Sequence, residues 1–225
     1  MHVKTIVTGP FQANTYLLWQ DGGSRAVIID PGDEADRLER DISTENLSLG
    51  VILITHAHLD HICAVEELRR WSNAVVCLPM AERPALGWLP ESCRFFGLPE
   101  KSAPHIDYWL NPELRDLSEV LLPDQLGGLE IAVHSTPGHS PGSVCYQIGN
   151  HWFVGDTLFN NSVGRVDLPG GDWPTLQASL RTLISLPDDT LIYPGHGPIT
   201  TIGQEKSTNP FLKNILQPDT ANVGK

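Results

Sequence analysis

The densest group of chemistry-bearing residues is Thr55-His56-Ala57-His58-Leu59-Asp60-His61, in which four potential metal ligands fall within six positions. With nine histidines in 225 residues, independent placement would produce His-x-His-x-Asp-His with a probability of roughly one in a thousand. Imidazole and carboxylate together suit Zn, Fe or Mn. His56 and His58 can aim at one ion while Asp60 and His61 turn toward a second; this spacing permits two ions without requiring them. Asp60 has an alternative role, capping a helix and hydrogen-bonding ligand imidazoles.

Three later segments add ligands in a similar setting: His139 in Thr136-Pro137-Gly138-His139-Ser140-Pro141-Gly142, Asp156 in Val154-Gly155-Asp156, and His196 in Pro194-Gly195-His196-Gly197. Each follows a strand-like run and sits beside glycine. Glycine and proline shape tight strand exits, so the neighbouring ligand faces an ion without obstruction.

The elements that must position these residues follow from periodicity. Val3 to Thr8, Thr15 to Trp19 and Ala26 to Ile29 read as hairpin-connected strands of an antiparallel sheet, punctuated by Gly9-Pro10 and Asp21-Gly22-Gly23. A helix is expected from Asp33 to about Glu45. The apolar, β-branched run Val51 to Ile54 reads as a buried strand that delivers the histidine cluster at its end. Asp60 then caps a helix reaching Trp71, followed by a strand at Ala74 to Leu78. Strands return at Leu129 to His134, Ser143 to Ile148, His151 to Val154 and Thr190 to Tyr193, with a helix from about Trp173 to Ser185. The segment from Pro79 to Pro123, rich in proline and aromatics, reads as a partly helical excursion. Its aromatics, from Trp88 to Trp109, are assigned to covering the core rather than lining a cleft. Two sheets flanked by helices accommodate this order, with the functional loops at one edge.

A chain of 225 residues fits a single unit, 1–225, with one α/β (α+β) core. The formal net charge of −12, with 15 Lys and Arg against 27 Asp and Glu, opposes diffuse binding to a phosphate backbone, so no nucleic-acid partner is expected. The N-terminus lacks an apolar export region after Lys4, and no stretch approaches the roughly 18 apolar residues of a membrane span. Cys63, Cys77, Cys93 and Cys145 form no C-x-x-C pair, and reduced thiols in a cytoplasmic protein are the simpler reading. Cys63, two residues beyond a proposed ligand, reads as a small buried residue in preference to a redox-sensitive thiol.

The sequence resembles the metallo-β-lactamase-fold superfamily, and within it the single-domain, glyoxalase II-like hydroxyacylglutathione hydrolases. The resemblance rests on the ligand segments, on Gly155-Asp156-Thr157-Leu158-Phe159, on Gly164-Arg165-Val166-Asp167-Leu168-Pro169-Gly170-Gly171-Asp172, and on Thr201-Ile202-Gly203-Gln204-Glu205-Lys206 with Asn209-Pro210-Phe211-Leu212. It implies a four-layer αββα sandwich with a metal site at one edge of the two sheets. It further implies that His56, His58 and His139 hold one ion, that Asp60, His61 and His196 hold another, and that Asp156 bridges them. Two divalent metal ions follow, zinc foremost, with Fe or Mn as alternatives. Two departures stand out: Cys63 replaces a usual glycine, and the chain lacks the C-terminal helical domain of longer glyoxalase II enzymes.

The reaction this implies is hydrolysis of a small-molecule thioester, S-lactoylglutathione, by a metal-bridging hydroxide, with Asp60 and Asp156 as the catalytic carboxylates. A thiol leaves readily, with a pKa of about 8.5, so no strong general acid is required. Arg165 and Lys206 are candidate substrate contacts, although Arg165 can equally pair with Asp167. His134 is a candidate partner of a ligand imidazole, whereas His2, His105 and His151 are expected at the terminus, in loops or in turns. The rivals are a mononuclear-iron persulfide dioxygenase, a β-lactamase, a nuclease, a hydrolase of another ester, and a non-enzymatic metal-binding module.

Overall fold

A computed structural model describes residues 1–216; residues 217–225 lie outside the described residues. The first three strands, β1 (His2–Thr8), β2 (Ala13–Trp19) and β3 (Arg25–Ile29), pair antiparallel as expected. After helix α1 (Ala35–Thr44), strand β4 (Ser48–Leu53) pairs parallel to β3. Strands β5 (Val75–Pro79) and β6 (Tyr108–Leu110) extend the same sheet in parallel, giving the order β1-β2-β3-β4-β5-β6.

The second sheet is built from β7 (Ala132–Ser135), β8 (Val144–Ile148), β9 (His151–Gly155), β12 (Leu191–Pro194) and β13 (Thr200–Thr201), in the order β13-β12-β9-β8-β7. A small hairpin, β10 (Leu158–Phe159) with β11 (Ser162–Val163), lies between β9 and helix α6 (Trp173–Ile184). Asp172 caps α6 by accepting from the Thr175 amide, 2.9 Å away.

Two-faced burial explains the layering. On β4, Val51 and Leu53 join an inter-sheet core with Tyr16, Tyr146 and Phe153, while Leu49 and Ile52 pack with Leu38 and Ile42 of α1. On the far side, Trp152, Val154 and Ile192 pack against Leu176, Leu180 and Leu183 of α6. Helix, sheet, sheet and helix therefore stack as the expected αββα sandwich. The near-continuous apolar composition of β4 reflects burial on both faces.

Two expectations are corrected. The helix capped by Asp60 is instead two pieces, α2 (Leu59–Ile62) and α3 (Val65–Ser72), and His58 occupies the N-cap position. Asp60 lies in the first turn of α2, where its carboxylate faces His196 rather than the helix amides. The excursion after β5 contains α4 (Arg83–Leu86) and α5 (Leu89–Phe95), and its aromatics do not share one role. Trp109 packs against the core, but Trp88, Phe95 and Phe96 are exposed. Helices α7 (Ile202–Thr208) and α8 (Lys213–Leu216) complete the described chain. His2 and His151 fall in strands, and no helix among the described residues is long and apolar enough to cross a membrane.

Candidate metal centre

All seven proposed ligands come together at one edge of the two sheets. The exit of β4 supplies His56 and His58, α2 supplies Asp60 and His61, the β7–β8 loop supplies His139, and the exits of β9 and β12 supply Asp156 and His196. Bonds between the sheets fix this edge. Tyr146 donates its hydroxyl to the Ile54 carbonyl at 2.8 Å, and the Val144 amide donates to the Thr55 carbonyl at 3.1 Å. At the exit of β12, the Pro194 carbonyl accepts from Tyr16 Oη at 2.6 Å and from Asn14 Nδ2 at 2.9 Å.

The side chains form two groups. His58 Nδ1 lies 3.1 Å from His56 Nε2 and 2.9 Å from His139 Nε2, so three imidazole nitrogens converge on one point. In the second group His196 Nε2 lies 3.1 Å from Asp60 Oδ2, and His61 Nε2 lies 3.7 Å from it. Asp156 stands between the groups. Its Oδ1 is 3.5 Å from His61 Nε2, and its Oδ2 is 3.6 Å from both His139 and His196.

Two residues that sequence reasoning missed orient these ligands. Asp30, buried at the end of β3, accepts through Oδ1 from the Thr55 amide (2.7 Å) and through Oδ2 from Thr55 Oγ1 (2.7 Å) and His61 Nδ1 (3.1 Å). Thr55 Oγ1 in turn lies 3.0 Å from His56 Nδ1 and can accept from it. His139 Nδ1 donates to the Arg165 carbonyl at 2.7 Å. The outer nitrogen of each of these three rings is thus engaged, which turns Nε2 toward the centre. Asp30 can be grouped geometrically with His56 and His61, but both its oxygens are occupied, so it orients ligands rather than serving as one. The available signal was Ile29-Asp30-Pro31-Gly32, the same strand-exit pattern that flags the other ligands.

Glu82, fully buried before α4, accepts from the Ala57 amide (2.8 Å), Ser140 Oγ (2.8 Å) and the Gly142 amide (2.6 Å). It ties the His56-His58 loop to the His139 loop. Gly195 is required by close approach: a Cβ there would stand 2.1 Å from Asp156 Oδ1.

The electrostatics of the two groups differ. Burial, reinforced by His139 and His61, brings His58 down to about 3, and burial holds His56 well below the usual imidazole range. These rings therefore present lone pairs. Burial also opposes the charged form of His61, but Asp60, Asp156 and Asp30 outweigh it and raise that ring to about 10. Asp60 is held below the usual carboxylate range because the His61 and His196 imidazoles overcome its burial.

The donor set fits metal ions. Among the described residues His61 Nε2 and Asp156 Oδ1 are buried without a hydrogen-bond partner, aimed into the same space. Such orphaned atoms are costly unless something satisfies them. Imidazoles and carboxylates from seven positions are the ligands a borderline divalent cation takes. Three-residue groups able to hold an ion are present on both sides, His56-His58-His139 and Asp60-His61-His196.

The other candidates separate. Arg165 lines the adjoining cavity and also pairs bidentately with Asp167 at 2.6 Å. Lys206 is not a lining residue; it binds Asp188 at 2.7 Å and the Leu186 carbonyl at 3.2 Å, which corrects the expected substrate contact. His134 touches no ligand, since it bonds Gln147 at 2.7 Å and stacks on Trp152. Cys63 is buried beside Cys93, and burial pushes its thiol up.

Known proteins resemble this chain along most of its length. The family model described as the metallo-beta-lactamase superfamily matches residues 8–196. The hydroxyacylglutathione hydrolase GloC of Haemophilus influenzae is 40% identical over 218 residues, covering 95% of this chain and 99% of the relative. Among solved structures, the BLEG-1 B3 metallo-beta-lactamase superposes with a TM-score of 0.85 at 42% identity, covering 94% of this chain and 100% of that one. TTHA1623, in a di-iron-bound form, gives 0.82 at 40% identity, covering 93% and 100%. By sequence, by fold and by its assembled His and Asp groups, this chain belongs to the metallo-beta-lactamase superfamily, whose members use divalent metals.

Proposed function

We propose that this metallo-hydrolase cleaves thioesters of glutathione and hydroxy acids, with S-lactoylglutathione as the reference substrate and two zinc ions as the cofactors. The end-to-end likeness to a hydroxyacylglutathione hydrolase carries this reading. The site supports it, because the His and Asp groups open into a cavity of about 780 Å³, a volume ordinary for a small-molecule cleft.

His56, His58 and His139 would hold one ion, Asp60, His61 and His196 the other, with Asp156 shared. Bound there, the ions supply Lewis acidity toward a carbonyl oxygen and lower the pKa of water. The chain's own residues orient the reactants. Asp60, kept ionised by its imidazole neighbours, and Asp156 offer carboxylate oxygens that accept from the attacking water and hold it below the cavity. Arg165 offers a cation at the cavity wall to a carboxylate of the thiol carrier. In the balanced reaction, the water oxygen bonds to the acyl carbon and the carbon–sulfur bond breaks. The electron pair leaves with sulfur, and water's protons pass to the thiol and, at neutral pH, to solvent. A thiol pKa of about 8.5 lets sulfur depart without a side-chain acid.

A second reading, β-lactam hydrolysis, is favoured by the likeness to the B3 enzyme. The test is steady-state turnover by metal-analysed protein of S-lactoylglutathione and of a chromogenic cephalosporin, with Asp156→Asn as control. The expected result is thioester turnover that falls by about 100-fold or more in the variant, with the cephalosporin slower. Cephalosporin turnover alone, or oxygen uptake with glutathione persulfide in place of thioester cleavage, would overturn the reading.

A further inference from the structure

Much of the cavity lining is apolar. One wall comes from α4 and α5, where Trp88, Phe95 and Phe96 are 50%, 83% and 47% exposed. This wall is anchored from beneath, since Leu89 and Cys93 of the same segment are buried in the core under the first sheet. Its exposed face is also braced: Phe96 meets Phe11 edge-on at 5.1 Å and Phe95 at 5.0 Å. Three large aromatics left in water beside a reaction centre form the kind of contiguous apolar surface that a ligand covers.

The charges point the same way. Among the described residues Arg165 is the only lysine or arginine lining the cavity, and its guanidinium is shared with Asp167. Glu91 adds a carboxylate to the aromatic side. A glutathione moiety, with two carboxylates, therefore finds a single shared cation at Arg165, and a lactoyl group of three carbons leaves the aromatic wall uncovered.

We propose that the substrates of this site are thioesters with a bulky apolar acyl group, aryl or medium-chain alkyl, selected by Trp88, Phe95 and Phe96, with the polar thiol carrier directed toward Arg165. The proposal rests on the thioesterase reading. The bond changes are those of hydrolysis: carbon–oxygen forms, carbon–sulfur breaks, and the apolar acid and the thiol leave separately. Placing methylenes or an aryl ring against a fitted apolar wall changes kcat/KM by about tenfold or more.

The experiment compares S-lactoyl-, S-mandeloyl- and S-hexanoylglutathione on wild type, Phe95→Ala, Trp88→Ala and a control, Leu122→Ala, whose exposed side chain does not line the cavity. Metal content and circular dichroism check that each variant is folded. In parallel, binding of the non-hydrolysable S-methyl- and S-hexylglutathione is read by tryptophan fluorescence. The expected result is kcat/KM about tenfold or more above lactoyl for the two bulky acyl groups, with S-hexyl binding tighter than S-methyl. That ratio collapses toward one in Phe95→Ala and Trp88→Ala and persists in Leu122→Ala. Turnover of all three thioesters at similar rates, with S-hexyl no tighter than S-methyl, would overturn the proposal and leave the thioesterase reading standing. No turnover of any thioester, with the S-hexyl preference intact, would overturn the reaction and retain the apolar character of the cleft.

Discussion

Asp30 orients the candidate ligands with both of its carboxylate oxygens already engaged. It fixes Thr55 and His61 directly and His56 through Thr55 Oγ1. Asp30→Asn replaces one acceptor oxygen with a donor amide that faces donors, so His61 loses its tautomer preference. We expect metal affinity to fall about 10- to 100-fold, measured by competition with a chromogenic chelator. Unchanged affinity would show that the imidazoles are oriented by packing alone. Asp30 escaped sequence reasoning because Asp-Pro-Gly is also an ordinary turn, and its partner Thr55 becomes a neighbour only when β3 and β4 pair.

At the scale of elements, two carboxylates hold loops and helices in register. Glu82 accepts three hydrogen bonds from the two histidine loops. In Glu82→Gln the new amide meets a donor, so one buried group is left unpaired, at a cost of about 1–3 kcal/mol. Urea denaturation of the metal-loaded variant should show that loss, together with reduced turnover; wild-type stability would contradict it.

Glu66 on α3 accepts from Arg69 (2.9 and 3.0 Å), Arg70 (2.7 Å) and the His105 amide (3.1 Å). Led by the Arg69 bond, these partners lower its carboxyl from 4.5 to about 2. A depressed folded-state pKa stabilises the fold above the unfolded value, here about pH 4.5, and the gain disappears as pH falls through about 2. Because the arginines are on the surface, the effect is about 1 kcal/mol. The stability gap between wild type and Glu66→Gln should therefore be full at pH 6 and shrink on acidification below pH 4.5; a gap that is constant with pH would contradict the assignment.

For the whole molecule, the αββα sandwich presents the loops from both sheets at a single edge, and that arrangement turns scattered ligands into a centre. Much of it was legible in the sequence. His56, His58, Asp60 and His61 announce themselves by spacing, and His139, Asp156 and His196 by their glycine-flanked strand exits. The strands were legible because β-branched runs have few other uses. What stayed hidden depends on contacts between distant segments. Lys206 passed for an anion contact because its partner Asp188 is invisible to a local reading, and the exposure of Trp88, Phe95 and Phe96 depends on how α5 sits over the core. The most direct test of the account is a metal titration of chelator-treated protein, following S-lactoylglutathione hydrolysis as ions are returned. The expected result is no activity without metal, a rise that saturates at two equivalents per chain, and no comparable rise in Asp156→Asn. Activity in the metal-free protein, or full recovery in Asp156→Asn, would contradict it.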